Sequence, residues 1–313
     1  MEKIGNVQLN YTYYHGSDAY SDGDIENRLL EIVKTSENPE EALLQENSWP
    51  LLYHLSPIRH NLLSWADFPK NASCLEIGAG CGALTGLFCQ KFDRVVASDL
   101  SRRRSLINAW RNKDYENLEI LVGNFQDIHI NEKFDVVTLI GVLEYAISYI
   151  SGPNPFSSLL SRARSFLKEG GTLILAIENK YGLKYLSGAA EDHTGRYFDG
   201  ITGYPDAKNV RTFSREGLES LLSGAGFTDL SFYYPYPDYK LPLAVFSDQW
   251  LPSPGDLRSY APSYDRERLR LFDEALAADS LLRDGLYPQV SNSFLIFGSI
   301  SKKSYAQSHI FEI

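Results

Sequence analysis

Leu75-Glu76-Ile77-Gly78-Ala79-Gly80-Cys81-Gly82 links a short apolar run to a helical pattern. Glycines at such a turn let the backbone bend tightly and approach a ligand, while the helix start offers unpaired N–H groups. Gly78, Gly80 and Ala83 satisfy the dinucleotide fingerprint G-x-G-x-x-G/A, with Asp99 about twenty residues on as a ribose acceptor. Glu76 points elsewhere. A carboxylate two residues before the first glycine opposes a pyrophosphate but attracts a cofactor carrying ammonium and sulfonium cations. Asp99 serves either cofactor, because a carboxylate accepts from two vicinal ribose hydroxyls at once. Close strand–helix packing would also use these glycines; the carboxylates at the two strand ends are what favour a ligand.

Such residues need strands that end together. Ala72 to Ile77, Arg94 to Ser98, Leu118 to Val122, Phe134 to Ile140 and Thr172 to Ile177 read as five buried strands. Helices are expected from about Ala83 to Phe92, from Ser101 to Arg111, and from the Asn154-Pro155 cap to Lys168, where Gly170-Gly171 stop the last one. This alternation implies a mainly parallel sheet covered on both faces. A polar stretch rich in glycine and tyrosine follows over 179–210, then a helix capped by Ser214 and ended by Gly226. Asp229 to Tyr234 and Ser293 to Ile300 read as closing strands around an insertion at about 235–289. Residues 1–70 read as a polar, aromatic arm (Tyr11 to His15) and a mostly helical cap, with Asp24 capping a helix through Val33 and a second apolar-periodic segment from Pro50 to Leu63.

Bulk properties exclude several classes. The chain has 313 residues, 43% hydrophobic and 22% charged, with a formal charge of −10. That balance argues against a nucleic-acid partner, which demands clustered Lys and Arg; the one basic run, Arg102-Arg103-Arg104, reads as a solvated helix face. No stretch approaches the roughly 20 apolar residues of a membrane span, and the start resembles no secretory signal. Cys74, Cys81 and Cys89 lack CxxC spacing, so no zinc site or disulfide framework is expected and a reducing, cytoplasmic setting fits. Of 20 tyrosines, only Tyr115, Tyr145 and Tyr149 lie between Asn71 and Glu178. The rest fall in the flanks, where rigid amphipathic rings suit a polar acceptor with apolar faces.

The residues LEIGAGCG, VVASDL, GNF (Gly123-Asn124-Phe125) and FDVVTLIGVLEY (Phe134 to Tyr145) resemble, in order and spacing, the successive motifs of class I S-adenosylmethionine-dependent methyltransferases. The resemblance implies an α/β, Rossmann-like sheet of seven strands, the last antiparallel, within a methyltransferase domain over 71–313. It implies S-adenosyl-L-methionine as cofactor and S-adenosyl-L-homocysteine as product. Glu76, Gly78, Gly80 and Gly82 would then lie near the methionine moiety, with Gly141 also on the cofactor side. Asp99 would hold the ribose, with Leu100, Asn124 and Phe125 about the adenine. Asn124 departs from the aspartate that many relatives carry, though an amide still bonds the adenine amine.

The segments LYHLSPIRHNLL (Leu52 to Leu63), IENKYGLKYLSGAAEDHTG (Ile177 to Gly195), VRTFSREGLESLL (Val210 to Leu222), YYPYPDYKLP (Tyr233 to Pro242) and VSNSFLIF (Val290 to Phe297) are similar to bacterial methyltransferase modules. Those modules are associated with surface-polysaccharide synthesis and often fused to glycosyltransferases. A carbohydrate or glycan acceptor, and a glycosyltransferase or glycan-assembly partner, are what this resemblance implies. The place after the fourth strand reads Ile140-Gly141-Val142-Leu143-Glu144-Tyr145, without the Asn/Asp-Pro-Pro-aromatic motif of nucleic-acid amino-methyltransferases.

A sugar hydroxyl is a weak nucleophile and benefits from a general base. His193 is the expected base, oriented by Asp192 or Glu191, with Glu144 close to the transferred methyl; a chance loop histidine is the plainer alternative. Tyr145, Asn179, Tyr181, Arg211, Asp238, Tyr239 and Lys240 are expected to bind the acceptor. No metal is expected, because consecutive residues such as Glu191-Asp192-His193 rarely converge on one ion. His54 and His60 suit packing or capping, His15 lies in the arm, and His129 and His309 read as exposed. Methylation of a non-sugar metabolite and a non-catalytic cofactor-binding module are the competing readings. Calorimetry should show S-adenosylhomocysteine binding and no NAD binding; the reverse would return the glycine loop to the dinucleotide class.

Overall fold

The computed structural model describes residues 1–18, 21, 23–36, 38–46, 48–258 and 268–300; the expectation for His309 lies outside them. Among the described residues there are ten strands: β1 (Glu2–Ile4), β2 (Val7–Tyr13), β3 (Ser73–Ile77), β4 (Arg94–Asp99), β5 (Leu118–Gly123), β6 (Phe134–Ile140), β7 (Leu167–Glu178), β8 (Asp229–Tyr236), β9 (Ala244–Ser247) and β10 (Ser293–Ser299). They form one mixed sheet in the order β1-β2-β5-β4-β3-β6-β7-β10-β8-β9. The seven anticipated strands lie together in that order, and β10 runs antiparallel to β8. The count of seven is corrected to ten by β1 and β2 at one edge and β9 at the other.

The chain divides into two compact units. The first comprises Met1–Leu139 and Arg162–Leu173. Its central strand β3 pairs in parallel with β4 and β6 and is buried at all five positions, as a strand covered on both faces must be. Asp135 secures its start by accepting from Ser73 N at 2.8 Å, Ser73 Oγ at 2.9 Å and Lys168 Nζ at 2.7 Å. The expected arm is in fact a strand. Val7 and Leu9 alternate inward along β2, which pairs with β5, and the tyrosines that follow masked that period in the sequence. The helical part of the cap does form: helices Ile25–Thr35 and Trp49–Leu55 contribute Leu29, Ile32, Val33, Leu51 and Leu55 to a cluster with Cys81 and Ile107. Pro57 divides the second expected segment, whose remainder is a 3₁₀ turn over Pro57–Leu62.

Two further expectations change. The helix begun by Pro155 ends at Ser165, and Gly170-Gly171 lie within β7 rather than after a helix. Gly171 has a packing reason: a side chain there would stand 3.1 Å from the Asp135 carbonyl oxygen and 3.0 Å from that of Lys168. The basic run is not simply a solvated face either, since Arg104 Nε lies 2.8 Å from Oε1 of the buried Glu26.

The second unit comprises Ile140–Ser161 and the described residues from Ile174 onward. Here β8 pairs with β10 and β9, and Phe232, Tyr234 and Phe294 meet edge to face. Ser214 caps helix Arg215–Gly224 as expected, its Oγ accepting from Gly217 N at 3.3 Å. No helix among the described residues is long and apolar enough to cross a membrane. Because Leu9 is fully buried, Leu9→Ala should cost about 2–5 kcal/mol in denaturant unfolding. The exposed Gln8→Ala should change stability by less than about 0.5 kcal/mol.

Candidate active site

In the first unit, β3 leads into a turn where Gly78, Gly80 and Gly82 have φ of 72°, 54° and 76°. This left-handed backbone is the region glycine enters without strain, so the spacing has a conformational cause. Gly78 N and Ala79 N both donate to the Ser98 carbonyl, tying the turn to the end of β4. Asp99 completes the tie: Oδ2 accepts from Gly80 N at 2.8 Å and Oδ1 from Ser101 N at 2.8 Å.

Glu76 is buried, and Thr85 Oγ1 donates to its Oε2 at 2.6 Å. Asn108 Nδ2 in turn donates to Thr85 Oγ1 at 3.0 Å. Burial pushes the Glu76 carboxyl up to about 8, with the Thr85 bond opposing. Burial also raises Asp99, against the opposing charge of Arg104. Leu100 is half-buried beside Asp99. Asn124 Oδ1 accepts from Gln126 N at 3.0 Å, and the buried Phe125 lies under the Arg162 guanidinium at 5.1 Å. These expected cofactor residues all belong to one unit.

Sequence reasoning missed Asp18, whose carboxylate accepts from Arg102 N at 2.7 Å, Arg103 N at 3.1 Å and Ser101 Oγ at 3.1 Å. It thereby fastens the N-terminal segment to the helix that follows Asp99. It also missed Thr85 and Asn108, which look like ordinary helix residues until the fold turns them toward Glu76.

The expected catalytic and acceptor residues, and Gly141, belong to the second unit. Gly141 has φ 69° and donates to the Ala176 carbonyl at 2.9 Å; a side chain there would stand 2.9 Å from Tyr239 Oη. His193 sits at the centre of three buried carboxylates. Its Nδ1 lies 2.8 Å from Glu191 Oε1, and its Nε2 lies 3.8 Å from Glu144 Oε1 and 3.8 Å from Glu178 Oε2. Glu191 is itself fixed, because its Oε2 accepts from His193 N at 2.8 Å and Thr194 N at 2.7 Å, while Tyr204 Oη donates to Oε1 at 3.1 Å. Burial alone would lower His193, but Glu178, Glu144 and Glu191 outweigh it and hold the imidazole well above its ordinary range. The expectation of a histidine titrating near neutrality gives way to a buried imidazole–carboxylate cluster.

Asp192 is not the orienting partner. It faces Lys240, by a short ion pair, and Lys184 at 3.0 Å; burial opposes its ionisation, but the two lysines hold it well below the usual carboxylate range. Lys240 Nζ also lies 2.6 Å from Glu178 Oε1, and Tyr239 Oη donates to the same oxygen at 3.3 Å. Asp238 Oδ1 accepts from Lys240 N at 2.8 Å, and its Oδ2 lies 3.5 Å from Lys184. Tyr145 stacks edge-on against His193 at 5.3 Å. These residues form one group.

Three expected acceptor residues stand apart from it. Asn179 is wholly buried and its amide donates to the carbonyls of Gln289 and Ser291, both at 2.8 Å, a structural duty. Tyr181 is exposed beneath Lys180, and Arg211 is exposed, its backbone N–H donating to the Glu144 carbonyl at 3.0 Å. Glu178 and Lys184 were missed. Glu178 had one legible signal, a carboxylate at the carboxyl end of a buried strand, the position already used for Glu76 and Asp99.

A mainly parallel sheet with a glycine turn after β3 and an acidic residue ending β4 is common to dinucleotide-binding folds and to the class I S-adenosylmethionine-dependent methyltransferase fold. A model of the methyltransferase-domain family matches residues 51–231, more than half of the chain, and the chain belongs to that family. It is 28% identical over 131 residues to a mitochondrial ubiquinone biosynthesis O-methyltransferase of Dictyostelium discoideum, covering 38% of this chain and 39% of that one. It is 23% identical over 117 residues to a malonyl-[acyl-carrier protein] O-methyltransferase of Priestia megaterium, covering 37% and 40%. The chain thus spans about two fifths of the length of these curated relatives. A solved S-adenosylmethionine-dependent methyltransferase of Thermotoga maritima is 17% identical with a TM-score of 0.45, covering 87% of this chain and 100% of that one.

The raised Glu76 carboxyl makes a pH prediction. Between the ordinary glutamate value and about 8 the folded chain binds a proton that the unfolded chain has released, so stability falls as pH rises through that window. Glu76→Gln should remove this loss. Urea unfolding should show the variant gaining on the parent chain from pH 5 to pH 8, on the order of a few kcal/mol, and matching it near pH 4.

Proposed function

We propose that the chain is an S-adenosylmethionine-dependent methyltransferase that O-methylates a hydroxyl of a carbohydrate or glycan precursor. The observation that carries this reading is the cluster of Glu144, Glu178 and His193, a buried acid–base centre in a tyrosine-rich unit. The names of both curated relatives, as O-methyltransferases, support an oxygen acceptor. The resemblance to polysaccharide-associated modules supports a sugar and a glycosyltransferase partner, and three buried, free cysteines accord with a reducing cytoplasm.

The first unit fits the cofactor. The space beside Gly80 is open, with Arg104 Nη1 at 3.9 Å the nearest atom to where a side chain would begin. Glu76 offers a carboxylate suited to a cationic methionine moiety, and Asp99 one suited to ribose hydroxyls, with Leu100, Asn124 and Phe125 toward the adenine. Gly78 and Gly80 supply the turn that a ligand can approach, whereas the side-chain directions of Gly82 and Gly141 are filled by Asn108 and Tyr239. When bound, S-adenosylmethionine supplies a methyl carbon on a sulfonium, which the acceptor oxygen takes as the carbon–sulfur bond breaks. Holding the two reactants in near-attack geometry provides much of the acceleration.

The acceptor's proton passes to Glu144, a carboxylate that burial holds above its ordinary range and that stands 3.8 Å from His193 Nε2. Glu191 positions His193, and Tyr204 positions Glu191. Tyr145, Tyr239, Asp238 and Lys240 line the same group and offer donors and acceptors to a polyhydroxylated ligand.

Incubation with S-adenosylmethionine and a panel of nucleotide sugars and glycans should give a product heavier by one methylene. Glu144→Gln and His193→Ala should each lower kcat by about 10²–10⁴-fold while S-adenosylhomocysteine affinity stays within about twofold. Undiminished turnover in both variants would refute the cluster's role, and methylation of an amine in place of a hydroxyl would refute the acceptor class.

A further inference from the structure

Two carboxylate oxygens in the second unit are left without partners. Glu144 and Glu178 are 1% and 0% exposed, yet Oε2 of each accepts no hydrogen bond. Leaving such an oxygen buried and unpaired is costly unless a cation completes it. Glu178 shows the asymmetry well: Oε1 is served by Lys240 Nζ and Tyr239 Oη, and only Oε2 is turned toward His193.

His193 Nε2 stands 3.8 Å from both Glu144 Oε1 and Glu178 Oε2. That is beyond hydrogen-bond length. One ligand atom from each of the three residues can be chosen so that all lie within 4.8 Å of one another. At metal–ligand lengths of about 2.0–2.6 Å, two ligands of one ion stand roughly 3–5 Å apart. The third feature is the far side of the ring. Nδ1 is held by Glu191 at 2.8 Å, an outer carboxylate that fixes the ring and turns Nε2 inward, where a bound cation takes the place of the Nε2 proton.

We infer that Glu144, Glu178 and His193 form a binding site for a hard divalent cation of the Mg²⁺ or Mn²⁺ type, with Glu191 as the positioning residue behind the imidazole. Two carboxylates favour a hard divalent cation, and Mn²⁺, which also accepts an imidazole, suits the mixed oxygen and nitrogen set. Each carboxylate spends one oxygen on the ion. The other oxygen of Glu178 keeps Lys240, and that of Glu144 stays available to the acceptor's proton. The positions left open on the ion suit water or the hydroxyl of the acceptor, whose proton a bound cation makes easier to remove. That last role rests on the proposed acceptor chemistry; binding of the cation does not.

The test uses the full chain after chelator treatment and dialysis, titrated with Mn²⁺ and followed by calorimetry and by loss of the free-ion electron paramagnetic resonance signal. One Mn²⁺ per chain is expected, displaced by excess Mg²⁺. Glu178→Gln and His193→Gln should each weaken it by at least about tenfold, and Glu191→Gln by about 10–100-fold. Gln8→Ala, at an exposed position of the other unit, should leave it unchanged. Circular dichroism and S-adenosylhomocysteine binding confirm that each variant is folded. Absence of Mn²⁺ binding in the folded parent chain, or binding that survives both Glu178→Gln and His193→Gln, overturns the site. Mn²⁺ binding without methylation of any sugar would leave the cation site standing and remove the sugar reading alone.

Discussion

Buried charge is the constraint on which the second unit turns. Glu178 ends β7 with no exposure to solvent, and a carboxylate in that position must be matched by cations or hydrogen bonds. Lys240 and Tyr239 satisfy one of its oxygens, and that requirement draws the segment after β8 toward the strand end. Lys240 then needs a second partner and finds Asp192, which also holds Lys184. The loop that carries Asp192 carries Glu191 and His193 with it. A single strand-end carboxylate therefore organises residues drawn from three separate stretches of chain.

The same principle operates on a smaller scale in the first unit. Glu76 is buried with one neutral donor, Thr85, and no counter-ion at hydrogen-bond distance, so burial raises its carboxyl instead of pairing it. Thr85 is held by Asn108, and Asn112 Nδ2 donates to Asn108 Oδ1 at 2.8 Å. Gly82 closes this relay: a side chain there would collide with the Asn108 amide at 2.4 Å. The third glycine of the turn thus has a packing reason in addition to its left-handed backbone. Glu178 is matched on one oxygen by a charge, and Glu76 on one oxygen by a dipole.

Much of the sheet was legible because its inner strands are short apolar runs bounded by glycine and polar residues. β6 matched its expected limits, and β3, β4, β5 and β10 did so within a residue. β1 and β9 were not legible because they are edge strands, largely uncovered, that blend into loops, and β2 because the tyrosines after Leu9 hid its alternation. The glycine turn and Asp99 were legible for a related reason: their roles depend on backbone conformation and strand-end position, both local properties. The structural duty of Asn179 was not legible because its polarity says nothing about partners more than a hundred residues away. Asp192 and Glu191 stood as equal candidates to orient His193 because both neighbour it in sequence; in the turn over 192–194 Glu191 folds back onto His193 while Asp192 faces Lys184 and Lys240.

The sequence by itself determined the class of fold and the glycine turn with its flanking carboxylates, and it singled out His193 and Glu144, which the fold brings within 3.8 Å of each other. These are set by periodicity, by the conformational freedom of glycine, and by where strands end. The tertiary structure alone decided that Glu191 holds His193, that Asp192 faces two lysines, and that Glu178 joins Glu144 with an unpartnered oxygen. Pairing among charges is a matter of distance and burial, and neither exists until distant segments are folded against one another.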